Sequence, residues 1–232
     1  MENSSASFSV LELFFMGGIF MWPLLLFSIA AVAITVERTI YLLYHNLKLD
    51  DLKEKVEGAI RNGNIEETRD YLKGLTKRRM GARILLALLN RFNLSEHRLE
   101  KAVEAEALSC ISSLENGFNF LTALSSLSPL TGFLGTVSGM IGAFRSIAEA
   151  VDVNAQIVAS GIYEALITTV FGLVIAIVAM SAHSLFSYLV DRFASEAEVV
   201  CSDLIIVIGE TRDSAGESTG SSRSRRAGDK KQ

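Results

Sequence analysis

The sequence predicts an all-α membrane protein, with three transmembrane helices and long cytoplasmic helical extensions. Three observations carry this. Half of the 232 residues are hydrophobic, with only two prolines, and the mean hydropathy is +0.34. The apolar residues fall into three runs, each reaching the roughly 20 residues that cross a hydrocarbon core. Around residues 128–144, SPLTGFLGTVSGMIGAF, helical spacing places the preceding Ser125 with Ser128, Gly132, Gly135, Gly139 and Gly142 along one side. Glycine costs a helix in water roughly 1 kcal/mol relative to alanine. Its recurrence inside an apolar run therefore points to close helix packing in lipid, where small residues let backbones approach.

In chain order, residues 1–12 carry no Lys or Arg and are expected to form a short periplasmic amino terminus, without the basic region and cleavage site of a signal peptide. Residues 13–44 form the first span, with Trp22 near its outer end and Arg38 and Tyr41 near its inner end as interfacial anchors. Pro23 is tolerable in a first helical turn, and Glu37 and Arg38 read as snorkelling interfacial charges.

Residues 45–117 form a polar loop holding thirteen Lys and Arg interspersed with Asp and Glu, the pattern of solvated helix faces. Asn62-Gly63-Asn64 signals a turn between two amphipathic helices, and Lys73-Gly74 a stop for the second. Leu85, Leu86, Leu88 and Leu89 make an apolar patch too short to span a membrane. Residues 118–144 form the second span, 145–160 a short connection, and 161–190 the third span. The connection holds one basic residue, Arg145, so the basic loop is expected in the cytoplasm and the amino terminus in the periplasm. Residues 191–212 continue the third helix into the cytoplasm. Residues 213–232, rich in Ser, Gly and Arg, are expected to be a disordered tail.

The third span repeats the small-residue pattern with Ala165, Thr169, Gly172, Ala176 and Ala179, a natural partner for the glycine stripe. Glu164 lies near its outer start, one turn before Thr168. An ionisable side chain within a bilayer ordinarily faces a cavity, a partner or an ion path. At the interface the same residue would only cap the helix, and spacing leaves both readings open. The hydroxyls of Thr136 and Thr169 can also bond their own helix backbone. His183, near the inner end, reads as an interfacial anchor.

Composition excludes other classes. A net charge of −4 gives no footprint for nucleic acid. Three histidines and two cysteines, Cys110 and Cys201, are widely separated and lack metal-site spacing. Gly135-Thr136-Val137-Ser138-Gly139 is neither GxSxG nor a phosphate loop. No enzyme and no cofactor are expected, and the two thiols should stay reduced in the cytoplasm.

Three segments together resemble one family. PLTGFLGTVSGMIGAF resembles the second transmembrane helix of the TolQ/ExbB/MotA ion-channel subunits, whose pattern is Pro, an apolar pair, Gly-Leu-Leu-Gly-Thr-Val, one variable residue and Gly-Met. Residues 161–179, GIYEALITTVFGLVIAIVA, resemble its third helix. Residues 21–42, MWPLLLFSIAAVAITVERTIYL, resemble its first, ending in Glu-Arg. Three spans rather than four place the chain nearer the ExbB/TolQ branch than the flagellar stator branch. Met21-Trp22-Pro23 and Glu37-Arg38 lean towards ExbB.

The resemblance implies an ion-conducting, stator-like subunit of an energy-transducing motor in the bacterial inner membrane. It implies a homopentamer whose central pore holds a single-span ExbD/TolR-like subunit, coupled to a TonB/TolA-like periplasm-spanning protein. Thr136 and Thr169 match threonines that line the family's ion path, with Glu164 and Thr168 beside them. Gly132, Gly135, Gly139, Gly142, Ala165, Gly172 and Ala176 would be packing positions. Two threonines leave H⁺ and Na⁺ open. A stator of a motility machine, or a non-conducting membrane scaffold, are the alternatives.

Overall fold

A computed structural model describes residues 10–149 and 155–228. Among these the chain is all-α, with eight helices: α1 Val10–Met16, α2 Met21–Tyr44, α3 Asp50–Asn62, α4 Ile65–Leu75, α5 Met80–Asn90, α6 Glu96–Glu115, α7 Phe118–Glu149 and α8 Ala155–Gly228. Among the described residues, three helices are long and apolar enough to cross a membrane. The described residues divide into two compact units, those within 1–39 and 117–187 and those within 40–116 and 188–232.

The first unit contains α1, most of α2, all of α7 and the first part of α8. Its interior is thin, built from Met21, Leu24, Phe118, Leu121 and Phe186 together with small residues such as Ala165, Ala179 and Ala182. The Phe118 and Phe186 rings stack with centroids 6.0 Å apart. Bulky apolar side chains remain outside, among them Trp22, Ile29, Phe133, Ile141, Val170 and Ile177. An exposed apolar surface of this extent belongs in lipid.

The second unit is a conventional core. Its centre is α5, which buries Met80, Ala82, Ile84, Leu85, Leu88 and Leu89. The apolar patch too short to span is thus the heart of a helical cluster. Around it α3 buries Leu52, Val56 and Ile60, and α6 buries Leu99, Val103, Cys110 and Leu114. The later part of α8 buries Val190, Phe193, Ala197, Val200, Leu204 and Ile208, at the three-and-four spacing of an amphipathic stripe. Polar ties fasten it. Lys53 Nζ donates to Asp203 Oδ2 at 2.6 Å, the Leu49 amide to Glu196 Oε1 at 3.1 Å, and Arg212 to the Leu94 carbonyl at 2.7 Å. The turn after α3 is made by Gly63 at φ 78°, as Asn62-Gly63-Asn64 predicts.

Several boundaries differ from the sequence reading. Residues 13–44 are not one helix, because the chain breaks between α1 and α2, where Gly18 takes φ 69°. Glycine at residue 18 adopts that left-handed conformation without steric cost. Helix α4 runs past Gly74 to Leu75. The connection expected over 145–160 is mostly helical, since α7 reaches Glu149 and α8 begins at Ala155. An Arg145–Glu149 ion pair of 2.9 Å and the Ser146 hydroxyl bonded to the Gly142 carbonyl support that end of α7. The residues between the two helices lie outside the described ones. Helix α8 also continues to Gly228 where a disordered tail is expected from residue 213. Extending an existing helix avoids the nucleation cost that disfavours an isolated one. The last four residues of that tail, and 1–9 of the amino terminus, are not described.

Arg38 departs most from its sequence reading. It does not snorkel to an exposed position but is buried, 8 % accessible, with Nε 2.7 Å from Glu37 Oε2. The turn at Gly117, φ 89°, leaves room for it; a Cβ there would lie 3.3 Å from Arg38 Nε.

Candidate functional site

The site begins with how closely α7 and α8 approach. A Cβ placed on Gly132 would lie 2.8 Å from the Thr168 carbonyl oxygen and 3.0 Å from Thr169 Cα. One on Gly172 would lie 2.5 Å from the Ser128 carbonyl oxygen. Gly139 faces Ala165, with 3.0 Å between the hypothetical and real Cβ atoms, and a Cβ on Gly135 would overlap the Thr168 hydroxyl. These neighbours are mostly backbone, which cannot swing aside. Ala165 and Ala176 are buried on the same side of α8. From Gly132 to Gly139 the glycine side of α7 thus lies close against α8. Gly142 is exposed and meets nothing within 4 Å. Gly161, not singled out by spacing, does pack, its hypothetical Cβ 2.8 Å from that of Ala143.

This proximity brings three threonines together around one carbonyl. Gly132 O accepts from Thr169 Oγ1 at 3.1 Å, from Thr168 Oγ1 at 3.2 Å and, at 3.4 Å, from Thr136 Oγ1. Thr136 also reaches across to the Ala165 carbonyl at 3.1 Å and contacts the Thr169 hydroxyl. Thr168 Oγ1 bonds the Ala165 carbonyl at 2.8 Å. Thr168 is fully enclosed at 1 % accessible, whereas Thr136 and Thr169 are half-buried. The two half-buried hydroxyls form the accessible edge of a polar node in an otherwise apolar helix pair. Burial of a hydroxyl is tolerable only when it is bonded, and each of these is.

Glu164 lies outside that node. Its side chain is exposed and borders a cleft of about 480 Å³, lined also by Phe20, Ser138, Ser146 and Tyr163. Its carboxylate lies against Gly18 in the break between α1 and α2, so closely that a Cβ on Gly18 would overlap Oε1. Gly18 was invisible to motif reasoning, although paired glycines within an apolar run are a breaker signal. His183 is half-buried beside Phe118, ring centroids 6.0 Å apart.

Known proteins are similar to this chain in sequence. A model of the MotA/TolQ/ExbB proton channel family matches residues 72–199. The chain is 34% identical over 206 residues to the biopolymer transport protein ExbB-like 1 of Synechocystis sp., covering 82% of this chain and 78% of that protein. It is 28% identical over 187 residues to the biopolymer transport protein exbB1 of Vibrio cholerae, covering 78% and 80% respectively. The Tol-Pal system protein TolQ of Haemophilus influenzae is 42% identical over 86 residues, which cover 37% of this chain and 38% of that protein.

Proposed function

Because the chain belongs to the MotA/TolQ/ExbB proton channel family, we propose that it is the ion-conducting, stator-like subunit of an inner-membrane motor. It would convert the proton or sodium motive force into mechanical work on a periplasm-spanning partner, in the manner of an ExbB subunit. The observation that carries this reading is the hydroxyl node of Thr136, Thr168 and Thr169 between α7 and α8, with an ionisable Glu164 one turn before Thr168. One copy offers too few polar groups to conduct. Several copies around an axis would repeat the half-buried Thr136 and Thr169 and the exposed Glu164 as rings, the arrangement from which selective pores are built. A homopentamer around a single-span ExbD/TolR-like subunit, acting on a TonB/TolA-like protein, fits this. The ion is the cargo, and no cofactor is invoked.

In the proposed orientation the amino terminus is periplasmic and the basic segment between α2 and α7 cytoplasmic, since that segment holds thirteen Lys and Arg and such loops stay on the cytoplasmic side.

One observation favours a different reading. Every threonine hydroxyl in the node is bonded within the chain, as it would be in a non-conducting scaffold whose stripes only assemble helices. Proton and sodium flux in liposomes, with the single-span partner present, separates the two. A channel loses flux in Glu164→Gln and in Thr136→Val with Thr169→Val while its oligomer stays intact. A scaffold shows no flux in any combination.

A further inference from the structure

The break between α1 and α2 has a feature that helix packing does not require. Gly17 and Gly18 interrupt a run of apolar residues, and Gly18 adopts φ 69°. Gly17 is explained by packing, since a Cβ there would meet Met21 Cγ at 2.5 Å and Ile167 Cγ2 at 3.3 Å. Gly18 is different. The three heavy atoms nearest its hypothetical Cβ all belong to the Glu164 side chain: Oε1 in overlap, Cδ at 3.0 Å and Cγ at 3.6 Å. The absent side chain at residue 18 leaves the space that this carboxylate occupies.

We infer that Gly18 is a positioning residue for Glu164, its bare backbone forming the seat that holds the carboxylate at the mouth of the cleft bordered by Ser138, Ser146 and Tyr163. The inference rests on the ion-path role proposed for Glu164. A methyl group at residue 18 would first meet the far end of a flexible side chain, so Glu164 can rotate away. What changes is where the charge sits. Left-handed backbone adds a conformational penalty to any residue with a Cβ, and the experiment must separate that penalty from displacement. Asparagine tolerates the left-handed region better than alanine, yet it too carries a Cβ. Aspartate at residue 164 withdraws the carboxylate by one methylene and clears the space.

The test uses the full chain in liposomes with its single-span partner. Gly18→Ala and Gly18→Asn are expected to lower ion flux on the order of tenfold, since misplacing a working group by about 1 Å can cost up to about a hundredfold. Adding Glu164→Asp to Gly18→Ala should recover flux relative to Gly18→Ala alone. A second readout needs no conduction: a water-soluble carbodiimide should modify Glu164 several-fold faster in Gly18→Ala, because the carboxylate has left its seat. Wild-type flux in both Gly18 variants, or a loss that Glu164→Asp does not relieve together with unchanged carbodiimide reactivity, overturns the inference. If wild type itself conducts nothing, the channel reading fails, and unchanged carbodiimide reactivity in Gly18→Ala still overturns the seat independently.

Discussion

At the scale of single residues, the same amino acid has opposite consequences depending on what faces it. Gly172 lies against the Ser128 carbonyl, whereas Gly142 faces open space. Gly172→Ala is therefore expected to destabilise the first unit by about 1–3 kcal/mol, the range for overpacking a contact that cannot yield. Gly142→Ala should be neutral or stabilising, by up to about 1 kcal/mol through helix propensity. Thermal unfolding of both variants in the same detergent compares them, and equal midpoints would contradict the close-packing argument. Asp51 supplies a second case, away from the spans. Its carboxylate accepts a bidentate bond from Arg79, 2.6 and 2.8 Å, and that hydrogen bond holds its pKa below the usual carboxylate range. A carboxyl with a lowered folded pKa adds stability above its unfolded pKa of about 3.9, and that contribution disappears as pH falls through the folded value. Asp51 is 61% exposed, so solvent screening limits the pair to about 0.5 kcal/mol. Asp51→Asn should lower stability slightly at pH 7, with the deficit shrinking as pH falls below the unfolded pKa and through the lowered folded one, as measured by denaturant unfolding across that range. A deficit that persists in acid would assign the effect to something other than the charge.

Single helices serve as structural units in two distinct ways. Helix α5 buries Met80, Ala82, Ile84, Leu85, Leu88 and Leu89, so it stabilises by filling a core. Leu85→Ala and Leu88→Ala each remove a side chain at 0 % accessibility, and such truncations cost about 2–5 kcal/mol. Limited proteolysis should show cleavage between α3 and α6 appearing at lower denaturant in either variant; unchanged resistance would mean α5 is not the centre of that unit. Helices α7 and α8, in contrast, gain from close backbone approach along their glycine-rich stretch. Glycines allow it, and threonines turn it into hydrogen bonds across the contact, Thr136 to Ala165 O and Thr169 to Gly132 O. In lipid, where apolar burial between helices adds no driving force, contacts of this kind are what remain.

For the whole molecule, the same sequence produces two kinds of surface. The first unit leaves Phe133, Ile141, Val170 and Ile177 exposed, while the second surrounds its core with ion pairs such as Arg83–Glu106 and Lys53–Asp203. The proposed orientation makes a definite prediction for this arrangement. In intact spheroplasts, a membrane-impermeant thiol reagent should reach a cysteine at Ser146→Cys from outside and leave one at Lys77→Cys unlabelled until the membrane is opened. The native Cys110 and Cys201 are buried and should contribute little background. The reverse pattern would invert the topology and with it the assignment of the basic segment to the cytoplasm.

Hydropathy and spacing alone determined the class, the three apolar helices and the turn at Gly63. These follow from local rules, since helix period and apolar run length are written along the chain. The resemblance in the second and third spans was legible for the same reason, being carried by contiguous residues. What could not be read is whatever depends on residues distant in sequence. Arg38 is buried because Gly117 turns beside it, and no feature of residues 37–38 announces that. Thr168 is enclosed while Thr169 is half-open, a distinction set by which side of α8 meets Gly132 and Gly135. Gly18 and Glu164 are 146 positions apart in the numbering, and only the folded chain places one against the other. The physical reason is common to all three: spacing gives the face a side chain occupies on its own helix, but its environment is fixed by the backbone that arrives opposite it.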